Sequence, residues 1–236
     1  MTEIRVVTFD LDDTLWRVEP VLRAAESRLR GWLHRNAPRA AALDPERLAA
    51  IRARVLQRQP QLAHTVSGLR LEMLRLMFEA ADYDAGQASR MAQRAFAMFL
   101  EARHEVTLFD DVVPMLDALR RRYRLGVIYN GNADVRKLAI GGYFEFTICA
   151  DDVGVSKPAP EIFARGIAAA RCAAAEIVHV GDAHDKDVLG ARAAGMRAIW
   201  VNFAGAPWPH DAPVPATVRS LDELPAAVHR LHGADD

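Results

Sequence analysis

The run Ile4-Arg5-Val6-Val7-Thr8-Phe9 reads as a buried β-strand, and no comparable run follows it until Leu125. A single strand is not stable alone, because its backbone donors and acceptors need a neighbour. The first strand therefore has to pair with strands far along the chain, and the stretch between them has to be an insertion. That stretch, from about Val18 to Arg103, is rich in Arg, Ala and Leu at helical spacing. VLRAAESRLRGWLHR places Val21, Leu22, Ala25, Leu29, Trp32 and Leu33 near one face. Asp44-Pro45-Glu46 is a helix start, with Asp as N-cap and Pro in the first turn. LRLEMLRLMFEAA and ASRMAQRAFAMFLEA complete a set of about four helices without strands.

From Leu108 the pattern changes to short β-rich runs at 125–130, 146–150, 176–182 and 196–203. Helical patterns lie between them at 110–122, 133–139, 159–171 and 187–194. Strands alternating with helices predict right-handed βαβ units and a parallel sheet. The expectation is a doubly wound, Rossmann-like α/β core made of residues 1–16 and 107–236, with an all-helical cap at 17–106. Gly205, Pro207, Pro209, Pro213 and Pro215 predict a loop before a last strand and a helix near 221–231. RRRYR at 120–124 is expected to be a solvated helix end.

Composition excludes several classes. A net charge of −1 gives no field to recruit nucleic acid or an anionic membrane. No uninterrupted apolar run approaches the ~20 residues needed to span a bilayer. Two cysteines, Cys149 and Cys172, give neither a metal-type spacing nor a disulfide framework, which suits a reducing cytoplasm. MTEIRVVTF lacks the pattern of a signal peptide. The chain is expected to be a soluble cytoplasmic protein, with its oligomeric state left open.

The polar residues are informative by position. In a parallel α/β sheet, ligands bind beyond the carboxyl ends of the strands. The first strand ends in Asp10-Leu11-Asp12-Asp13-Thr14, and the second in Tyr129-Asn130-Gly131-Asn132. Ser156-Lys157-Pro158 precedes a helix, and the His179 strand ends in Gly181-Asp182-Ala183-His184-Asp185-Lys186-Asp187. In an extended chain Asp10 and Asp12 share a side and Asp13 faces away. With Asp182 and Asp187 they make a dense anionic cluster that needs a cation, since buried carboxylates are costly unless paired. All-oxygen ligation suits Mg²⁺. Lys157 supplies positive charge for a phosphate and for the nucleophile, and Asn130 and Gly131 offer donors to phosphate oxygens. Such a set suits phosphoryl transfer on a small phosphate ester. The histidines read differently: His179 as a packed strand residue, and His34, His104, His210, His229 and His232 as solvent-facing.

FDLDDT, the YNG strand end, SKP and GDAHDKD, in that order, resemble the four motifs of the haloacid dehalogenase (HAD) superfamily, and the helical insert resembles its type-1 cap. QPQLAHTVSGLR, YNGNAD, GGYFEF and HVGDAHDKDV resemble, more narrowly, the bacterial phosphatases acting on FMN and on 5-amino-6-(5-phospho-D-ribitylamino)uracil. The resemblance implies that Asp10 is the nucleophile forming an aspartyl-phosphate and Asp12 the acid/base. It implies Mg²⁺ on the Asp10 carboxylate, the Asp12 carbonyl and Asp182, supported by Asp187, with Lys157 bridging phosphate and Asp10. It makes Trp16 the start of the hinge, lining the entrance, and the cap the source of selectivity. His64 and Arg70 are the cap's candidates for substrate contact, against an equal reading as ordinary polar helix residues. One position departs from the pattern: Tyr129 stands where the superfamily has Ser or Thr.

Three functions compete: a Mg²⁺-dependent phosphomonoesterase, a 2-haloacid dehalogenase of the same fold, and a non-catalytic binding protein in which Tyr129 blocks phosphate. The acid at Asp12 and the metal-type acids Asp182 and Asp187 favour the first, because a halide leaves without a proton and without a metal.

Overall fold

In the computed structural model, residues 3–231 are described, and His232 lies outside them. The chain opens with β1 (Val6–Phe9), followed by α1 (Val18–Asn36), α2 (Pro38–Ala41), α3 (Pro45–Arg58), α4 (Val66–Ala80) and α5 (Ala85–Arg103). Then come α6 (Val112–Leu119), β2 (Arg124–Tyr129), β3 (Phe146–Cys149), α7 (Ala150–Val153) and α8 (Pro160–Ala170). β4 (Ile177–Gly181), α9 (Gly190–Ala193), β5 (Arg197–Val201), β6 (Ala216–Val218) and α10 (Leu224–Leu231) complete it. These fall into two compact units. Residues 3–17, 107–131 and 135–231 form an α/β unit, and 18–106 with 132–134 form a helical one. Arg17 thus goes with the α/β unit, and Asn132–Asp134 leave it.

The α/β unit holds a six-stranded sheet in the order β3-β2-β1-β4-β5-β6, every pairing parallel. Helices cover both faces of such a sheet, so its strands run apolar end to end. Accordingly all four residues of β1 and all five of β4 are buried. β1 is central, with Phe9 in register with Val127 of β2 and Val180 of β4. The chain winds one way from β1 through β2 to β3 and the other way from β4 to β6. The crevice at that reversal lies beyond β1 and β4, where the doubly wound fold binds ligands.

In the helical unit, Ala88, Ala92, Ala95, Phe99 and Ala102 of α5 recur at the spacing of one helix face and are all buried. These small side chains let α5 lie close to Ala25, Leu29 and Leu33 of α1 and to Leu74, Met77 and Phe78 of α4. Asp44 caps α3 as its sequence predicts, its carboxylate accepting from Arg47 N–H at 2.7 Å. Among the described residues no helix is long and apolar enough to cross a membrane.

Three expected elements differ. The helix expected at 133–139 is only a 3₁₀ turn, Val135–Lys137. Asn132–Asp134 belong to the helical unit, where the Asp134 N–H donates to His104 Nε2 at 3.0 Å, and the chain folds back at Gly141. A Cβ at Gly141 would lie 2.8 Å from the Val135 carbonyl oxygen, so the return is tight and leaves no length for a helix. The helix expected at 187–194 begins earlier, as a wide π-turn over His184–Leu189 that continues into α9. At RRRYR, α6 has already ended at Leu119; Tyr123 is buried and Arg124 opens β2.

Candidate active site

The four polar clusters converge beyond the sheet's carboxyl edge around a cavity of about 220 Å³. Asp10 follows β1 directly, its N–H donating to the Val180 carbonyl at 2.8 Å, so the ladder with β4 fixes its position. Lys157 is 2% exposed. Its ammonium donates to Asp10 Oδ1 at 2.7 Å, to the Ile128 carbonyl at 2.8 Å and to Asp187 Oδ1 at 2.5 Å. Three protons meet three protein acceptors, so Lys157 is saturated as it stands.

Asn130 holds this lysine in place. Its Nδ2 donates to the Lys157 carbonyl at 3.0 Å and its Oδ1 accepts from the Lys157 N–H at 2.7 Å. Asn130 also borders the cavity, and this clasp uses one of its two amide N–H donors. Gly131 borders the cavity, and its carbonyl accepts from Cys149 Sγ at 3.3 Å.

Asp187 is buried, with Oδ1 on Lys157 and 3.3 Å from His179 Nε2, and Oδ2 accepting from the Ala183 N–H at 3.0 Å. His179 is fully buried and its Nδ1 lies 2.9 Å from Thr8 Oγ1. The packed strand histidine is thus also the floor under Asp187, a role its sequence context does not reveal. Asp182 meets the Thr14 hydroxyl at 3.4 Å, and its carbonyl accepts from the Trp200 indole at 2.8 Å.

Two expectations around the first motif are corrected. Asp13 does not face away. The chain turns after Asp10, with Leu15 N–H donating to the Leu11 carbonyl at 2.8 Å and Asp13 at φ +57, so Asp13 borders the cavity. Trp16 does not line an entrance. It is fully buried, and its indole N–H donates to Asp12 Oδ1 at 2.9 Å, which orients that carboxylate. Lys186, to which its sequence context assigns no role, also borders the cavity.

In the helical unit, Arg70 forms an ion pair with Glu26 at 2.7 Å and stacks on the Phe99 ring at 3.9 Å. Its guanidinium is engaged by its own unit's interior. His64 is exposed at the end of a 3₁₀ turn, Pro60–His64. Of the other histidines, His34 and His229 are exposed as expected, whereas His104 and His210 are half-buried.

The electrostatics are strained. Burial, above all, pushes the Asp10 carboxyl up to about 8; Lys157 opposes this and Asp187 and Asp182 add to it. Burial, then Asp187 and Asp13, raise Asp182 to about 6. Burial acts the same way on Asp187, but Lys157 and His179 outweigh it and hold the carboxyl well below the ordinary range. Burial lowers His179 most, the Asp187 hydrogen bond opposes this, and Lys157 adds to the lowering, so the neutral imidazole is favoured. Asp187 is thus kept ionised, whereas the ionised forms of Asp10 and Asp182 are disfavoured where no cation offsets their burial and mutual repulsion. Carboxylate oxygens of Asp10, Asp182 and Asp187 lie within 4.8 Å of one another, a donor set that fits a hard divalent cation.

Tyr129 is buried at the end of β2, paired with Cys149 of β3. Burial raises the Cys149 thiol, and a hydrogen bond from the Tyr129 side chain partly offsets this. Tyr129 also borders the cavity.

The haloacid dehalogenase-like hydrolase family model matches residues 4–195. The chain belongs to the haloacid dehalogenase-like hydrolases. Among curated relatives of this HAD hydrolase, the 5-amino-6-(5-phospho-D-ribitylamino)uracil phosphatase of Escherichia coli is 31% identical over 84% of this chain and 83% of its own. A phosphoserine phosphatase of Thermus thermophilus is 29% identical over 94% of this chain and 98% of its own. Among solved structures, a 2-haloacid dehalogenase from Pseudomonas syringae pv. Tomato superposes with a TM-score of 0.94 at 43% identity, covering 96% of this chain and 99% of that one.

Proposed function

We propose that this HAD hydrolase is a Mg²⁺-dependent phosphomonoesterase working through an aspartyl-phosphate on Asp10. The observation that carries the reading is the second carboxylate at the cavity, Asp12, oriented by the Trp16 indole. An alkoxide leaving group needs a proton and a halide does not, so an acid two residues from the nucleophile has work only in ester cleavage. Asp10 attacks phosphorus as the ester P–O bond breaks, and Asp12 gives its proton to the departing alkoxide. Water then attacks the aspartyl-phosphate, Asp12 takes its proton, and inorganic phosphate leaves as the Asp10 carboxylate is restored. Lys157 holds Asp10 in line and keeps part of its charge compensated. Mg²⁺, held by Asp10 and Asp182 with the Asp12 carbonyl, would supply the neutralisation that these acids and a phosphate dianion require. Asp187 acts mainly by fixing Lys157.

A neighbouring cavity of about 260 Å³ shares Asp13 and Asp182 with the first and adds Arg17, Phe109, Asn202 and Phe203. Its aromatic and amide walls suit the ring-bearing part of an ester such as FMN or a ribityl phosphate, in keeping with the Escherichia coli relative's activity.

A 2-haloacid dehalogenase is the second reading, favoured by the 43% identity to the Pseudomonas syringae protein. The test compares phosphate release from p-nitrophenyl phosphate and FMN with chloride release from 2-chloropropionate. Phosphate release that needs Mg²⁺, stops in EDTA and vanishes in Asp10→Asn is expected. Asp12→Asn should lower FMN turnover by about 10²–10⁴-fold, and p-nitrophenyl phosphate less, because p-nitrophenolate leaves without a proton. Chloride release without phosphate release overturns the proposal.

A further inference from the structure

The π-turn that delivers Asp187 also carries a second constellation. His184 Nδ1 lies 2.9 Å from His210 Nε2 and 3.4 Å from Asp185 Oδ2, and His210 Nε2 lies 3.2 Å from Asp185 Oδ1. His184 and Asp185 follow β4, whereas His210 comes from the segment between β5 and β6. None of the three borders either cavity described above.

Two imidazole nitrogens and a carboxylate pointing at one place is an arrangement that a shared proton satisfies poorly. Only one proton can lie between the two nitrogens, while both also face the same acid. A cation accepts all three lone pairs at once. Ligand atoms about 2.0–2.1 Å from a tetrahedral ion stand about 3.3 Å apart; each nitrogen lies near that distance from one Asp185 oxygen, His184 from Oδ2 and His210 from Oδ1, so a small turn of the exposed carboxylate brings one oxygen to both. The shorter nitrogen–nitrogen distance needs only a small rotation of the rings.

The rings are held by packing that does not involve an ion. Trp208 lies edge-on to both, with centroids 6.3 Å from His184 and 4.9 Å from His210. Trp208 in turn packs on Trp200 at 5.4 Å and donates its indole N–H to the Ala212 carbonyl at 2.9 Å. The Asn202 side chain closes the start of the segment, donating to the Ala206 carbonyl at 2.8 Å and accepting from the Ala206 N–H at 3.0 Å. The donors are therefore largely preorganised.

We propose that His184, Asp185 and His210 form a binding site for a borderline divalent transition-metal ion such as Zn²⁺, separate from the carboxylate cluster at Asp10 and Asp182. Ligand type sorts the two sites: paired imidazoles suit Zn²⁺, Ni²⁺ and Cu²⁺, whereas Mg²⁺ keeps to oxygen. Three protein donors leave positions for water, so the ion is exchangeable. Bound there, it ties the turn bearing Asp187 to the 202–212 segment.

The test is calorimetric titration of Zn²⁺ into tag-free full-length protein under saturating Mg²⁺, with the thermal midpoint measured alongside. One equivalent should bind and raise the midpoint, because the ion binds the folded state alone. His184→Gln and His210→Gln should each weaken binding at least tenfold, and Asp182→Asn should leave it unchanged. Asp185→Asn, an exposed position, gives a second check that does not depend on the histidine variants folding. Absence of Zn²⁺ binding by the wild type overturns the site. So does binding that persists in the His184, His210 and Asp185 variants but is lost in Asp182→Asn, since the ion then sits in the aspartate cavity.

Discussion

Lys157 and Tyr129 define the cavity's chemistry at the residue scale, and each does something its motif position alone does not reveal. Lys157 spends its three protons on Asp10, the Ile128 carbonyl and Asp187, so its effect on a phosphate is electrostatic and passes through Asp10. Tyr129 stands where a small hydroxyl is expected; it borders the cavity, but its phenol also acts on the Cys149 thiol of the next strand, whose pKa it helps to lower. Tyr129→Phe should therefore leave kcat/KM for a phosphate ester within about twofold of wild type. A fall of tenfold or more, near the ~1.5–3 kcal/mol of a hydrogen bond to a charged group, would instead put the phenol on the substrate. The aspartates were legible in the sequence because carboxylates directly after an apolar strand demand a cation. Asp13 and Trp16 were misplaced because the chain turns immediately after Asp10, and alternation along an extended strand no longer applies. His179 was read as packing alone because its partners, Thr8 and Asp187, come from β1 and from the π-turn.

Among the elements, β4 and the π-turn after it set how closely Asp187 approaches the sheet. A Cβ at Gly181, the last residue of β4, would lie 2.4 Å from the Asp187 Cγ, so only glycine admits the carboxylate beneath the strand end. Gly181→Ala should cost about 1–3 kcal/mol, the usual penalty of overpacking. It should also lower kcat, because Asp187 must move off Lys157. Chemical denaturation with parallel kinetics checks both, and unchanged kcat with unchanged stability would mean that Asp187 has room to shift. This turn explains why the helix expected from Asp187 begins instead at His184: apolar periodicity locates the buried face from Val188 onward but carries no signal for a wide first turn. The strands were legible because a sheet covered on both faces needs unbroken apolar runs. The segment at 133–139 was not, because its opening residues, Ala133 and Asp134, belong to the helical unit, a tertiary effect that overrides local helical propensity.

For the whole molecule, the unbalanced acids make stability depend on pH and on the cation together. Asp182 and Asp10 have folded-state values raised to about 6 and about 8, above the ordinary 3.8 of an unfolded aspartate. Between these values the folded chain holds more protons than the unfolded chain, so stability falls as pH rises. The window runs from about pH 4 to about 6 for Asp182 and on toward 8 for Asp10. The Asp182 shift alone corresponds to about 3 kcal/mol. Asp187 has the opposite sign: its lowered value gives stability above the unfolded value that is lost on acidification, so it matters below about pH 4. A divalent cation between Asp10 and Asp182 favours their ionised forms, so its stabilisation grows with pH as the proton's competition fades. In EDTA the unfolding midpoint should therefore decline from pH 5 to pH 8, and the gap between Mg²⁺ and EDTA should widen over the same range. Asp182→Asn should flatten the decline below about pH 6 and shrink the gap. Scanning calorimetry at pH 5, 6, 7 and 8 checks this. A gap independent of pH would mean that Mg²⁺ does not bind at the titrating carboxylates and would remove the electrostatic basis for assigning the cation to this cavity.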